Sequence, residues 1–303
     1  MSLSKVLLLA CVAVGTGWAE TPSRPAITGL AFVRVYSADP AASQHFYGSV
    51  LGYDHVGDHA GRSGLGRYQV NGDQWIEVVA MPTPAPSGKV AAIGFTTRDV
   101  VGLSKYLLAR GVALAEPLRA GRFGLKDPEG RLVEFLKQTP AHAKDAAPIS
   151  PRAGAHRIIH TGFTVKDRDV EDTFYKDLLG FKPYWYGGRK EGQLDYVSLQ
   201  VPEGTDWVEY MLNPTPDMDA HQLGSANHMS LGVAHIDDAI AALKKNGCTG
   251  NDCTNTHVGR NGTMQLNVFD PDLTRAEYME FDPRQTPCCS PFTGPHPTEQ
   301  ESR

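Results

Sequence analysis

Two histidines in this chain each stand 49 residues ahead of a glutamate: His160 before Glu209, and His228 before Glu277. Each histidine lies in a short apolar run, Ile158-Ile159-His160-Thr161-Gly162-Phe163 and His228-Met229-Ser230-Leu231-Gly232-Val233. Each glutamate lies in another, Trp207-Val208-Glu209-Tyr210-Met211-Leu212 and Ala276-Glu277-Tyr278-Met279-Glu280-Phe281. Runs of this length, rich in β-branched and aromatic residues, read as strands. Burying a carboxylate in such a strand without a counter-charge costs several kcal/mol. A divalent cation removes that cost. The spacing therefore predicts duplicated units that deliver two imidazoles and two carboxylates to one cleft.

The duplication extends through the chain. Asp39 stands seven residues before Phe46-Tyr47, followed by Leu51-Gly52, and Asp167 stands seven before Phe174-Tyr175, followed by Leu179-Gly180. An Asp before an apolar helical pattern, with Gly after it, marks a capped helix. A second unit follows in each half. The run 92–96 precedes a helical pattern ending near Gly111, and 228–233 precedes one ending near Gly247. Both close on an Asp-Pro turn and a strand, at Asp127-Pro128 through Glu134 and at Asp270-Pro271 through Glu277. The result is four units, each a strand, a helix and further strands, grouped two and two. The Ala/Pro-rich stretch 139–156 reads as a linker, and 283–303 as an irregular Pro-rich tail.

Composition sets the outer bounds. The chain has 303 residues, 41% hydrophobic and 21% charged, which fits two globular domains. Residues 1–19 read as an export signal: Lys5, the apolar run Val6–Val14, then Gly17-Trp18-Ala19. The segment Leu8-Leu9-Ala10-Cys11 is a weaker, lipoprotein-type alternative. The apolar run is too short to span a bilayer. After cleavage at Ala19 the chain keeps 28 basic and 34 acidic residues, a net of −6, with no basic cluster. That excludes a nucleic-acid partner. Cys248, Cys253, Cys288 and Cys289 then remain, and one connectivity staples the tail to the loop after Gly247.

With these motifs the chain resembles the vicinal oxygen chelate superfamily, which includes glyoxalase I, fosfomycin- and bleomycin-resistance proteins and extradiol dioxygenases. The resemblance covers residues 27–138 and 157–282. It implies an α+β fold of four βαβββ modules, paired into two half-open-barrel (glyoxalase-like) domains. It also implies that the first and last strands of each module carry inward-facing metal ligands. Here those positions are His160, Glu209, His228 and Glu277. The implied cofactor is one divalent metal ion, and Zn, Ni, Co, Mn and Fe all suit two nitrogen and two oxygen ligands. The first half departs from the pattern. Phe32 and Ala92 hold its two histidine positions, while Glu77 and Glu134 remain. Carboxylates without imidazoles make a poor site for such an ion, so this half is expected to be a structural partner.

The ligand set resembles the bacterial type of glyoxalase I, which implies Glu277 as base with Glu209 facing it. The expected activity is proton transfer, as an isomerase or lyase, on a small substrate that chelates through adjacent oxygens, such as an enediolate or α-hydroxyketone. One alternative is an extradiol-like ring-cleaving dioxygenase using His160, His228 and Glu277. Against it, Asn267 stands where those enzymes place a Tyr, and Glu209 adds a negative ligand, although His257 lies near their second histidine position. The other is a non-catalytic binder of the bleomycin-resistance type, which the intact quartet disfavours. His221 and His235 are available as supporting groups, and Tyr184, Trp185 and Tyr186 as a cleft wall. Arg189, Lys190 and Arg260 are available to an anionic substrate, with simple solvation the plainer reading for each. The oligomeric state stays open, because one chain already carries both module pairs.

Overall fold

The structure is a computed structural model that describes residues 22–57, 64–138 and 149–299. The export segment 1–19 and the linker residues 139–148 lie outside the described residues. The first module runs β1 (Ile27–Ser37), α1 (Pro40–Gln44, continuing as a π-helical turn His45–Val50), β2 (Asp54–Val56), β3 (Gly64–Gln69) and β4 (Trp75–Ala80). The second runs β5 (Val90–Thr97), α2 (Val100–Leu108), β6 (Glu116–Arg119), β7 (Arg122–Lys126) and β8 (Leu132–Lys137). The third repeats the first: β9 (Ile158–Val165), α3 (Arg168–Asp172, continuing as a π-helical turn Thr173–Leu178), β10 (Lys182–Gly187), β11 (Tyr196–Gln200) and β12 (Trp207–Leu212). A short helix, α4 (Ala220–Ala226), leads into the fourth: β13 (His228–Val233), α5 (Ile236–Lys245), β14 (Thr256–Val258), β15 (Met264–Phe269) and β16 (Arg275–Glu280).

The aspartates that open the repeats act as helix caps. Asp39 accepts from the backbone N–H groups of Ala41 and Ala42, Asp99 from Gly102, and Asp167 from Val170. Helix α4 is absent from the sequence reading. Its signal is the capping box between Asp219 and Gln222, whose side chains satisfy each other's backbone donors. Among the described residues no helix is long and apolar enough to cross a membrane.

The strands form two eight-stranded mixed sheets, β2-β3-β4-β1-β5-β8-β7-β6 and β10-β11-β12-β9-β13-β16-β15-β14. In the first, β1 runs parallel to β4 and antiparallel to β5, and β5 runs parallel to β8. The second repeats this with β12, β9, β13 and β16. Each module thus contributes four strands to a curled sheet, the α+β architecture that the motifs imply. The central strands are buried along almost their whole length, and their side chains build the core.

The halves are joined by reciprocal contacts between repeat-equivalent residues. Tyr47 donates to Asp270 at 2.7 Å, and Tyr175 to Asp127 at 3.4 Å. Gln74 accepts from Ile158 N, and Asp206 accepts from Leu30 N, both at 2.8 Å. The tail is irregular in backbone yet bound to the second half. Thr293 N donates to Tyr184 O at 3.0 Å, and the Gln200 amide donates to Pro295 O at 2.9 Å. Of the connectivities that the sequence leaves open, the structure has the one in which no bridge joins tail to loop. Cys248 pairs with Cys253, whose Cα lies 6.0 Å away across a tight turn, and Cys288 pairs with its neighbour Cys289. Backbone hydrogen bonding holds the tail instead, including Cys288 N to Arg260 O at 2.8 Å.

Candidate metal centre

Strand register explains why four residues far apart in sequence meet. Side chains two apart on a strand share a face, and paired residues on neighbouring strands point the same way. Gly162 pairs with Glu209 across β9/β12 and with His228 across β9/β13. Ser230 pairs with His160 on one side and Glu277 on the other. His160, Glu209, His228 and Glu277 therefore all project from one face.

Their ligand atoms converge. The Nε2 atoms of His160 and His228 lie 3.0 Å apart. Glu277 Oε2 is 3.3 Å from His160 Nε2, and Glu209 Oε2 is 3.5 Å from His228 Nε2 and 4.0 Å from His160 Nε2. His160, Glu209 and His228 offer ligand atoms within 4.8 Å of one another, as ligands about 2.1 Å from a shared ion would, and Glu277 stands beside His160. Both imidazoles and Glu277 are buried, and Glu209 keeps 12% of its side chain exposed. Gly162 makes the approach possible, because a Cβ there would sit 2.0 Å from His228 Cε1. On the other side Trp207 stacks on the His160 ring, with centroids 4.6 Å apart.

The electrostatics suit a cation. Burial, with help from Arg275, holds His160 and His228 well below the usual imidazole range, so both present neutral nitrogens. Burial first, and then the Glu277 charge, push the Glu209 carboxyl up to about 8. Glu277 Oε2 is buried without a hydrogen-bond partner, as are Ser230 Oγ and Asn267 Oδ1 on the residues paired with it. Orphaned buried acceptors beside two neutral imidazoles are a donor set that fits a divalent ion. Binding one below pH ~8 would release the Glu209 proton.

A cavity of about 290 Å³ opens onto Glu209 and Glu277 and is bordered by Trp185, His257, Arg260 and Arg275. Of the aromatic trio, only Trp185 lines it. Tyr184 is buried against Trp207 and Phe292, and Tyr186 is half exposed. His221 lies against the Phe269 ring with centroids 4.3 Å apart, His235 precedes α5 at its N-terminus without a side-chain capping bond, and neither lines the cleft. Arg189 is placed near Asp195, at 3.8 Å, and Lys190 is exposed. Sequence reasoning passed over Arg275, which the strand alternation puts on the face of Glu277 and the register puts beside His228.

The first half shows the same frame with other contents. Phe32 pairs with Trp75 as His160 pairs with Trp207, and Arg34 pairs with Glu77 and Ala92 as Gly162 pairs with Glu209 and His228. The Arg34 guanidinium lies between the two carboxylates, 2.6 Å from Glu77 and 2.8 Å from Glu134. Arg122 also pairs with Glu134, and Arg67 lies over the Trp75 ring at 3.8 Å. A built-in cation holds the charge that a metal would otherwise neutralise.

The comparisons with known proteins agree with this architecture. The model of the Glyoxalase/Bleomycin resistance protein/Dioxygenase superfamily matches residues 29–135 and 157–278. A lactoylglutathione lyase of Haemophilus influenzae is 28% identical over 126 residues, which is 41% of this chain and 92% of the relative. Homoprotocatechuate 2,3-dioxygenase of Brevibacterium fuscum, solved with 3,4-dihydroxyphenylacetate, superposes with a TM-score of 0.61 at 18% identity, covering 91% of this chain and 84% of that one. The 2,3-dioxygenase LapB of Pseudomonas sp. KL28 gives 0.60 at 16% identity, over 92% and 96%. With both halves matched and the fold shared, the chain belongs to the glyoxalase/bleomycin resistance protein/dioxygenase superfamily.

Proposed function

We propose that the protein is a divalent-metal-dependent enzyme that moves a proton between adjacent carbons of a small substrate bearing two neighbouring oxygens. The observation that carries the reading is the pair of carboxylates, Glu209 and Glu277, flanking the two histidine nitrogens at 3.3–4.0 Å. His160, His228, Glu209 and Glu277 would hold the ion, which supplies Lewis-acid polarisation of a substrate oxygen. Glu277, whose buried Oε2 has no hydrogen-bond partner, takes the proton, and Glu209 faces it across the two histidine nitrogens. The buried walls around His160 and His228 keep water from competing for that proton. Export is part of the same proposal, supported by the two disulfides, which belong to an oxidising compartment.

The test is turnover in D2O of hemithioacetals and α-hydroxyketones by metal-loaded protein. Deuterium entering the product carbon is the expected result. Glu277→Gln is expected to lower kcat roughly 10²–10⁴-fold while metal stays bound. One observation favours a second reading, ring-cleaving oxygenation: His257 lines the same cavity as Glu209 and Glu277. Label from ¹⁸O₂ in the product of a catechol, with no deuterium exchange, would replace the first reading by the second.

A further inference from the structure

The two clefts differ in where their positive charge lies. In the first half the arginines are spent on Glu77 and Glu134. In the second, Gly162, Ser198 and Gln265 stand at the register positions of Arg34, Arg67 and Arg122, so the cleft is free of that network. The second half adds a cation of its own elsewhere. Arg275 pairs with His228 at the position where the first half pairs Leu132 with Ala92.

Arg275 is poorly satisfied. Its side chain is 13% exposed, its nearest carboxylate contact is Nη1 to Glu277 Oε1 at 3.6 Å, and its buried Nε has no partner. A guanidinium carries five donors in a fixed fork. Across the same cavity Arg260 is anchored by Nε to Gly188 O at 2.8 Å and by Nη2 to Cys288 Sγ at 2.7 Å. An ion of charge +2 held by Glu209 and Glu277 makes a neutral centre, so the two arginines leave the cavity with surplus positive charge. Trp185 and Tyr196, stacked at 6.3 Å, give it a flat wall.

We infer that Arg275 and Arg260 form an anion subsite, so that the substrate is a small carboxylate whose two vicinal oxygens face the metal ligands while its acidic group meets the guanidinium fork. The inference rests on the metal reading above and names the substrate class for that cleft. A fork matches a carboxylate through paired donors, and such a charge-assisted pair selects between otherwise similar chelators.

The experiment compares two probes on cobalt-loaded protein by isothermal titration: 3,4-dihydroxybenzoate and its neutral amide, 3,4-dihydroxybenzamide. Wild type is expected to prefer the carboxylate roughly tenfold or more. Arg275→Gln is expected to bring the ratio to near unity, and Arg260→Gln to reduce it. Taking the ratio cancels any change in metal strength common to both probes. Arg260 is solvent-exposed, so its variant decides the matter if Arg275→Gln does not fold. Both probes binding equally to wild type, or an unchanged ratio in the variants, overturns the anion subsite and leaves the metal centre standing. Protein that takes up no cobalt overturns the metal reading and the subsite with it, whereas cobalt protein that binds neither probe overturns the subsite alone.

Discussion

At the scale of single residues, the difference between a metal-type cleft and an ion-paired one comes down to what stands at Gly162 and at Arg34. Both occupy the strand position between a glutamate on one side and the site of a histidine on the other. Glycine leaves room for the His228 ring, and arginine fills the same space with its own charge. Gly162→Ala would push a methyl group to 2.0 Å from His228 Cε1, so the ring must move. We expect metal affinity to fall roughly 10–100-fold with the far-ultraviolet circular dichroism unchanged, as when support for a ligand's orientation is lost. Unaltered metal affinity would show that the ring's placement does not matter. The four candidate ligands stand out in the sequence because charge is unusual in a strand. Arg34 does not, because its meeting with Glu77 and Glu134 depends on how β1 pairs with its neighbours, a tertiary property.

At the scale of elements, the two motifs that mark the repeats also hold the halves together. The Tyr following each capped helix reaches the Asp-Pro turn of the other half, Tyr47 to Asp270 and Tyr175 to Asp127. Helix α3 adds Glu171, buried in this contact and accepting from Glu129 N at 3.2 Å, with its other oxygen unpartnered. Burial, and then Asp127, push its carboxyl from an ordinary 4.5 up to about 8. A folded value above the unfolded one means the contribution to stability is whole below pH ~4.5 and is lost as pH rises through about 8. Thermal melts should therefore show wild type losing more Tm than Glu171→Gln between about pH 5 and about pH 8. At the upper end the variant should be the more stable by on the order of 1–3 kcal/mol. Parallel curves would contradict this account of α3. The helices and turns are legible in the chain because capping and Asp-Pro signals are local. Their reach across the molecule is not, and neither is the disulfide pairing, which depends on where the tail lies.

At the scale of the whole molecule, one frame is built twice with different interiors. The first half closes its cleft with its own arginines and lends Gln74 and Tyr47 to the second, while the second gathers His160, Glu209 and His228 within 4.8 Å of one another, with Glu277 beside His160. The sequence carries this division in the 49-residue spacing, present once per module in the second half, and in Phe32 and Ala92, which break the pattern in the first. The lack of imidazoles there was readable, but the guanidinium that takes the ion's place was not, since Arg34 looks like any strand residue until β1, β4 and β8 are brought together. The central claim is therefore one metal per chain, in the second half alone. Inductively coupled plasma mass spectrometry of the purified protein, beside His228→Ala, tests it most directly. The account predicts about one equivalent of a divalent transition metal in wild type and little in the variant. No metal after reconstitution, about two equivalents, or a variant as full as wild type would contradict it.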